Sequence, residues 1–167
     1  VHFSEKYGDK TVLFRVVTSP FGDSGYSAAA DVDYSESAVS AFVSYLYDKY
    51  KTTDAFAENY PFSVSSFEDL KNEEVKKLTS TCLYDWKTFK QKTLSDFYKE
   101  AVKIFKKANP TCPTELMFGG VEDTKTAVYR GFYDPYTVSE NVGADIYSTT
   151  WESDIPLDFF VSYLSDT

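Results

Sequence analysis

The segment from Ser66 to Cys112 constrains the fold most, because it is long, rich in lysine and patterned for helices. Ser66 with Asp69 matches a helix-capping pair, and a weak apolar stripe follows it to about Thr79. At the far end, Pro110 prevents any helix from continuing. The segment therefore predicts a helical block at the centre of the fold.

The strongest helix signal lies in the second half of this block. Thr93 with Asp96 resembles a second cap, and two lysines close the pattern, where they favour the negative end of the helix dipole. The apolar residues between them recur at helical spacing: Leu94, Phe97, Tyr98, Ala101, Val102, Phe105 and Ala108. We therefore expect an amphipathic helix from about Thr93 to Ala108.

A separate helix is predicted earlier in the chain. Asp33 or Ser35 can cap it, and the pattern ends in a polar run that begins at Lys51. Its apolar positions follow one helical face: Val39, Phe42, Val43, Leu46, Tyr47 and Tyr50.

Strand patterns occur on both sides of the helical block. Residues 11–18 and 26–32 flank a turn-forming cluster and predict an N-terminal hairpin. Three further strands are expected at residues 115–118, 126–133 and 145–151, with a final helix at 155–164. The order of strands, helices, strands and helix predicts the α+β class. Its mostly antiparallel sheet would pack against three to four helices.

Length and composition indicate one globular domain, residues 1–167. Aromatic residues make up 18% of the chain, and most of them are expected in the core. An aromatic-lined hollow for a ligand is the alternative use. Four large amphipathic side chains in polar-flanked segments are its candidate ligand-binding residues: Trp86, Tyr129, Tyr133 and Trp151.

Charge is distributed unevenly along an acidic chain whose net charge is −9. Residues 71–107 carry ten lysines against five acidic residues. The acidic balance disfavours nucleic acid and anionic membranes as partners, and no run is apolar enough to span a membrane. The lysines either lie on solvated helix faces or form a basic face that docks an acidic partner or another copy of the chain.

The two cysteines, Cys82 and Cys112, are predicted to form a disulfide. Their spacing fits no zinc motif, and the bridge would close a loop of about 30 residues, worth roughly 3–4 kcal/mol. Two free, buried thiols are the alternative. The bridge, the single Met and a start at Val1 favour a processed, secreted or extracellular protein.

Most well-known catalytic motifs are missing from the sequence. The single histidine, His2, lies at a terminus, and neither a P-loop nor a dinucleotide-binding glycine motif is present. We expect no metal and no cofactor. Paired-carboxylate glycosidase chemistry stays open, because 26 acidic residues allow many pairs and the sequence singles out none.

One stretch resembles a known enzyme family. Ala127-Val128-Tyr129-Arg130-Gly131, followed by Tyr147-Ser148-Thr149-Thr150, is similar to the strand motifs with which the ADP-ribosyltransferase superfamily holds NAD. The resemblance implies Arg130 and Ser148 as site residues. The family's Glu-x-Glu motif has no counterpart, so the resemblance implies a degenerate or truncated enzyme.

The sequence therefore favours a non-enzymatic binding protein that recognises a partner protein or a small apolar or aromatic ligand. An enzyme of the ADP-ribosyltransferase type and a structural, self-assembling protein are the two alternatives.

Overall fold

The computed structural model describes residues 6, 7, 10–16, 24–26, 34–72, 82–118, 131 and 134–149. The chain divides into two compact units. The first unit comprises Val1–Asp31 and Gln91–Thr167, and the second comprises Val32–Lys90. The expected single domain stays a prediction.

The described elements are three strands, four α-helices and one 3-10 helix. In chain order they are β1 (Phe14–Val16), α1 (Glu36–Tyr50), α2 (Thr53–Ala57), the 3-10 helix (Phe67–Asn72), α3 (Leu83–Ala108), β2 (Thr114–Phe118), α4 (Pro135–Val142) and β3 (Ile146–Thr149).

The three strands form one sheet in the order β1-β2-β3, and both pairings are parallel. Arg15 lies opposite Glu115 in the first pairing, and Met117 lies opposite Ser148 in the second. The predicted mostly antiparallel sheet is therefore wrong. Parallel neighbours need long crossover connections. The predicted helices lie in the connection between β1 and β2, and α4 lies in the connection between β2 and β3, where the prediction had turns.

Several predicted strand and helix segments lie outside the described residues. They are residues 27–32 of the N-terminal hairpin, all of the 126–133 strand except Gly131, and the helix at 155–164. The strands predicted at 115–118 and from 145 are confirmed as β2 and β3.

Helix α3 is longer than the sequence pattern predicted. It begins at Leu83, ten residues before the expected cap at Thr93, and runs unbroken to Ala108. Asp96 does not cap a helix; it accepts a hydrogen bond from Lys92 at 2.5 Å on the helix surface. Helix α3 contributes residues to both units, because the unit boundary falls at Lys90 and Gln91.

Helix α4 was not predicted, because the residues at its ends were interpreted as turn formers. The Asp134 carboxylate accepts a hydrogen bond from the Thr137 amide at 3.1 Å, and Pro135 occupies the first turn. Gly143 closes the helix in a left-handed conformation with φ of 68°. These residues are a complete set of helix caps.

The core of the first unit lies between the sheet and the helices that connect its strands. Side chains alternate along a strand, so every second residue of the sheet faces the helices. Phe14 stacks on Phe105 with ring centroids 3.8 Å apart. The buried members of this core are Val16, Leu94, Tyr98, Val102, Leu116, Phe118, Val138 and Val142.

Asp145 joins three elements at the amino-terminal end of β2. Its carboxylate accepts hydrogen bonds from the amide and hydroxyl of Thr114 at 2.7 and 2.8 Å. It also forms an ion pair with Lys106 of α3 at 2.6 Å. We call these three residues the Asp145 clasp. The clasp fixes the start of β3 against the start of β2.

The second unit is built from α1, α2, the 3-10 helix and the first turns of α3. Four of the six predicted apolar positions of helix α1 are buried, whereas Tyr47 is exposed, and Ser35 caps the helix by accepting from the Ala38 amide at 3.3 Å. The core of the unit is aromatic. Its buried members are Phe42, Val43, Leu46, Phe56, Phe67, Leu70, Cys82, Trp86 and Phe89.

Candidate active site

The face of the sheet opposite the helices carries the polar side chains of the first unit. Strand alternation places Arg15, Glu115, Met117, Ile146 and Ser148 on this face, which we call the open face. Each of the three strands contributes one polar residue to a connected set. We call Arg15 of β1, Glu115 of β2 and Ser148 of β3 the polar row.

Glu115 is the centre of the polar row. Its Oε2 accepts a hydrogen bond from Arg15 Nε, and its Oε1 accepts one from Ser148 Oγ, each at 2.6 Å. The Glu115 side chain is 6% exposed, whereas that of Arg15 is 40% exposed. A buried carboxylate is therefore held by one partner on each oxygen, which is what burial of a charge requires.

These partners keep Glu115 ionised. Burial alone would raise the pKa of Glu115, but the hydrogen bonds from Arg15 and Ser148, together with the Arg15 charge, outweigh it. The net effect is a pKa below the ordinary value for glutamate. At neutral pH Glu115 is therefore a fixed, buried carboxylate whose negative charge Arg15 balances.

The members of the polar row lie at different positions along their strands. Arg15 is the middle residue of β1, Glu115 is the second residue of β2, and Ser148 is the penultimate residue of β3. Glu115 therefore lies near the amino end of its strand. At the carboxyl end of β2, the Ser24 amide donates a hydrogen bond to Met117 O at 3.0 Å. Parallel strands joined by helices generally carry their active sites at the carboxyl edge, and Ser148 is the member of the polar row that lies nearest to it.

The second unit contains another buried carboxylate, Asp85 of α3. Its Oδ2 accepts hydrogen bonds from the hydroxyls of Tyr50, at 2.8 Å, and of Tyr60. Its Oδ1 accepts one from Lys49 Nζ. We call these four residues the Asp85 hub. Four side chains that satisfy one another, with both tyrosines packed against an aromatic core, are typical of a structural ion pair.

The charges of the Asp85 hub shift the pKa values of its partners. Burial opposes the charge on Lys49, but its bonds to Asp85 and Tyr50 outweigh this effect, so the pKa of Lys49 is raised. Burial and the bond to Asp85 both raise the pKa of Tyr60. Both pKa shifts keep Lys49 charged and Tyr60 neutral at neutral pH.

Both cysteines are free and buried, so the predicted Cys82–Cys112 disulfide is wrong. The physical reason is the length of α3. Cys82 precedes this helix and Cys112 follows it, and 26 helical residues extend about 39 Å. Burial raises the pKa of Cys82 to about 11, which makes it an unreactive thiol. The expected secretion loses the support of a disulfide.

The structure places one of the predicted site residues in the polar row. Ser148 bonds Glu115, whereas Arg130 lies outside the described residues. Trp86 is buried in the second unit, where it stacks on Tyr34 at 5.4 Å. The other predicted ligand-binding residues lie outside the described part: Tyr129, Tyr133 and Trp151. The ligand-binding roles stay predictions.

Sequence reasoning missed Arg15 and Glu115 as site residues. Each is the single charge in a short strand of otherwise uncharged residues. An isolated charge in such a strand must find a partner on a neighbouring strand, because burial of an unpaired charge is costly. Once the parallel register was known, these isolated charges could have indicated that Arg15 and Glu115 form a pair.

The described residues contain neither a metal-binding cluster nor a membrane-spanning helix. No group of three or more His, Cys, Asp or Glu side chains among them could hold a metal ion. No helix in the described part of the chain is long and apolar enough to cross a membrane.

Comparison with known proteins identifies one family. The model of the Glyco_hydro_42 family, described as beta-galactosidase, matches residues 2–149. No curated protein and no solved structure matches the chain. The family match overturns the expected non-enzymatic binding protein, because the matched family is one of glycoside hydrolases. The ADP-ribosyltransferase-like and self-assembling alternatives are not supported either.

Proposed function

The chain belongs to the Glyco_hydro_42 beta-galactosidase family, and from this premise we propose that the protein hydrolyses β-galactosides with the polar row at its active site. The observation that carries the proposal is the buried, ionised Glu115 on the open face of the sheet. Glycoside hydrolysis generally depends on a pair of carboxyl groups with different protonation states.

Glu115 suits the ionised member of such a pair. The general acid of a glycosidase needs a raised pKa so that it is protonated when it meets the leaving group. Glu115 has the opposite environment, because Arg15 and Ser148 both stabilise its charge. The role it fits is that of the carboxylate that faces the positive charge developing at the sugar ring, as nucleophile or as base.

The general acid is a second carboxyl group that the polar row does not contain. Among the described residues of the open face, Glu115 is the one carboxylate. The residues that follow β2, 119–130, include Glu122 and Asp123 and lie outside the described part. They come after the carboxyl end of a parallel strand, so they are the first candidates for substitution.

Release of p-nitrophenol from p-nitrophenyl β-galactoside tests the proposed activity. We expect hydrolysis of this substrate and much slower hydrolysis of the α-galactoside, which presents its leaving group on the opposite face of the ring. No release above the buffer rate from either compound would refute the activity.

The substitution Glu115→Gln tests the assigned site. It removes the negative charge but keeps the shape, so kcat/KM should fall by at least about 100-fold. The matched control is Glu140→Gln, at an exposed position on α4, which should keep the wild-type rate. Circular dichroism verifies that each variant is folded. A folded Glu115→Gln protein with the wild-type rate would contradict the assignment.

A further inference from the structure

Helix α3 carries a second apolar stripe beside the one that faces the sheet. The inner stripe, which includes Leu94 and Tyr98, is buried in the core of the first unit. Phe97 and Ile104 lie next to it, but their side chains are 54% and 49% exposed. They are separated by about two helical turns, so they lie above one another on the helix surface. We call this pair the outer stripe.

Lysines border the outer stripe. The exposed surface of α3 in the first unit carries more basic than acidic residues: Lys92, Lys99, Lys103 and Lys107 against Asp96 and Glu100. Both acidic residues already pair with lysines of the same helix. No described carboxylate pairs with Lys107, which lies one turn after Ile104. This surface therefore suits an apolar segment that carries acidic residues.

The chain supplies such a segment after β3. Residues 150–167, which lie outside the described part, include four acidic residues and no basic residue. Seven of the ten residues 155–164 are apolar, and their pattern predicts a helix. A helix that is apolar on most of its sides is expected to be buried. Residues 155–164 therefore need an apolar surface against which to pack.

A repeated pentapeptide indicates which residues of this segment are suited to burial. Residues 160–164 repeat residues 42–46 of α1 letter for letter. In α1, the first, second and fifth residues of the pentapeptide are buried in a core: Phe42, Val43 and Leu46. The same spacing in residues 160–164 gives one apolar helix face.

The connection after β3 is long enough to reach the outer stripe. Strand β3 ends at Thr149, and the five residues 150–154 can span up to about 18 Å. Phe105 of α3 stacks on Phe14, the first residue of β1. Phe97 lies about 12 Å earlier along the helix, which is roughly the length of the strands. Since α3 ends beside the start of β2, Phe97 lies towards the edge of the sheet at which β3 ends.

We propose that residues 155–164 form a helix that docks on the outer stripe of α3 in the same chain. The docked helix covers Phe97 and Ile104 and brings acidic side chains close to Lys107. The short connection from β3 favours docking within one chain over docking between two chains. This inference does not depend on the proposed hydrolysis.

Hydrogen exchange of the full chain, followed by mass spectrometry of the peptides that cover residues 155–164, tests the docking. We expect the amides of these residues to exchange at least about 100-fold more slowly than in a synthetic peptide of residues 150–167. Ile104→Ser removes apolar area from the outer stripe, so it should speed this exchange about tenfold.

Leu83→Ser is the matched control. Leu83 is also 49% exposed on α3, but it belongs to the second unit and lies outside the outer stripe. The exchange rates in residues 155–164 should therefore stay at their wild-type values.

A second pair of variants tests the charge of the surface, and it decides the test if Ile104→Ser does not fold. Lys107→Gln should speed the exchange about threefold at low salt and less in about 0.5 M salt, because salt screens exposed charges. Lys99→Gln is its control, since Lys99 and Phe97 are two positions apart on the helix and do not share a face.

Three results would overturn the inference. Exchange as fast as in the synthetic peptide would show that the segment does not dock. Slow exchange that a folded Ile104→Ser protein retains, or that Lys107→Gln retains where Ile104→Ser does not fold, would show that the segment packs on another surface. Protection that is lost on dilution of the protein would show docking between two copies of the chain.

Discussion

Two single residues, Glu115 and Asp85, each place a negative charge in a buried position. Glu115 and Asp85 are both almost completely buried, and each accepts hydrogen bonds on both carboxylate oxygens. They differ in what surrounds them. The two tyrosines beside Asp85 pack against an aromatic core, which is typical of a structural role, whereas Glu115 and its partners lie side by side on one face of a sheet. The exposure of the basic partner does not separate the two sites, because Arg15 is 40% and Lys49 is 36% exposed. The surroundings of each carboxylate are the feature that separates them.

The Asp85 hub gives a stability prediction. Asp85→Asn removes the charge that Lys49, Tyr50 and Tyr60 share, so the free energy of unfolding should fall by about 3 kcal/mol. This is the low end of the range for a broken buried pair, because Lys49 keeps some contact with solvent. Urea unfolding measures the loss.

Asp48→Asn is the matched control for the hub. Asp48 belongs to the same helix as Lys49 and pairs with Lys51, but both side chains are exposed. Its loss should be well under 1 kcal/mol. Equal effects of the two substitutions would show that the Asp85 hub does not stabilise the second unit.

At the scale of elements, local sequence patterns predicted helices better than they predicted strand pairing. Helix α1 was predicted with its cap and stripe, because both signals are local. Asp134 and Gly143 were interpreted as turn formers, yet they cap α4, since the same residue types favour both structures. The parallel register could not be predicted, because it depends on contacts between β1 and β2, about 100 residues apart.

The stabilisation that the Asp145 clasp contributes between β2, β3 and α3 should depend on pH. Its bonds to Lys106 and Thr114 lower the pKa of Asp145 to about 2, from 3.8. A lowered pKa means that folding favours the ionised form. The stabilisation is therefore present above pH 3.8 and is lost as the pH falls towards 2.

The substitution Asp145→Asn isolates this contribution. At pH 7 it should lower the free energy of unfolding by about 1 kcal/mol, because hydrogen bonds and an exposed ion pair are lost. The difference from wild type should shrink as the pH falls from 4 to 2, measured by urea unfolding at each pH. A difference that stays constant across this range would refute the clasp.

At the scale of the whole molecule, the site could be predicted from the sequence less well than the helices. Ser148 was predicted as a site residue through the resemblance to ADP-ribosyltransferases. No sequence pattern distinguished Glu115 among the 26 acidic residues. Two facts single out Glu115. The parallel sheet places it between Arg15 and Ser148, and the matched family is one of glycoside hydrolases, whose reaction depends on carboxyl groups. Neither fact is contained in a local pattern.

We propose that hydrolysis of β-galactosides depends on an ionised Glu115 whose charge the polar row maintains. The most direct measurement is the pH dependence of kcat/KM for p-nitrophenyl β-galactoside in wild type and in Ser148→Ala. The variant loses one donor to the ionised carboxylate, so the pKa of Glu115 should rise and the acidic limb of the profile should move to higher pH, while the rate at its plateau stays largely unchanged. Identical acidic limbs in the two proteins would show that the rate does not depend on the charge that Ser148 stabilises on Glu115.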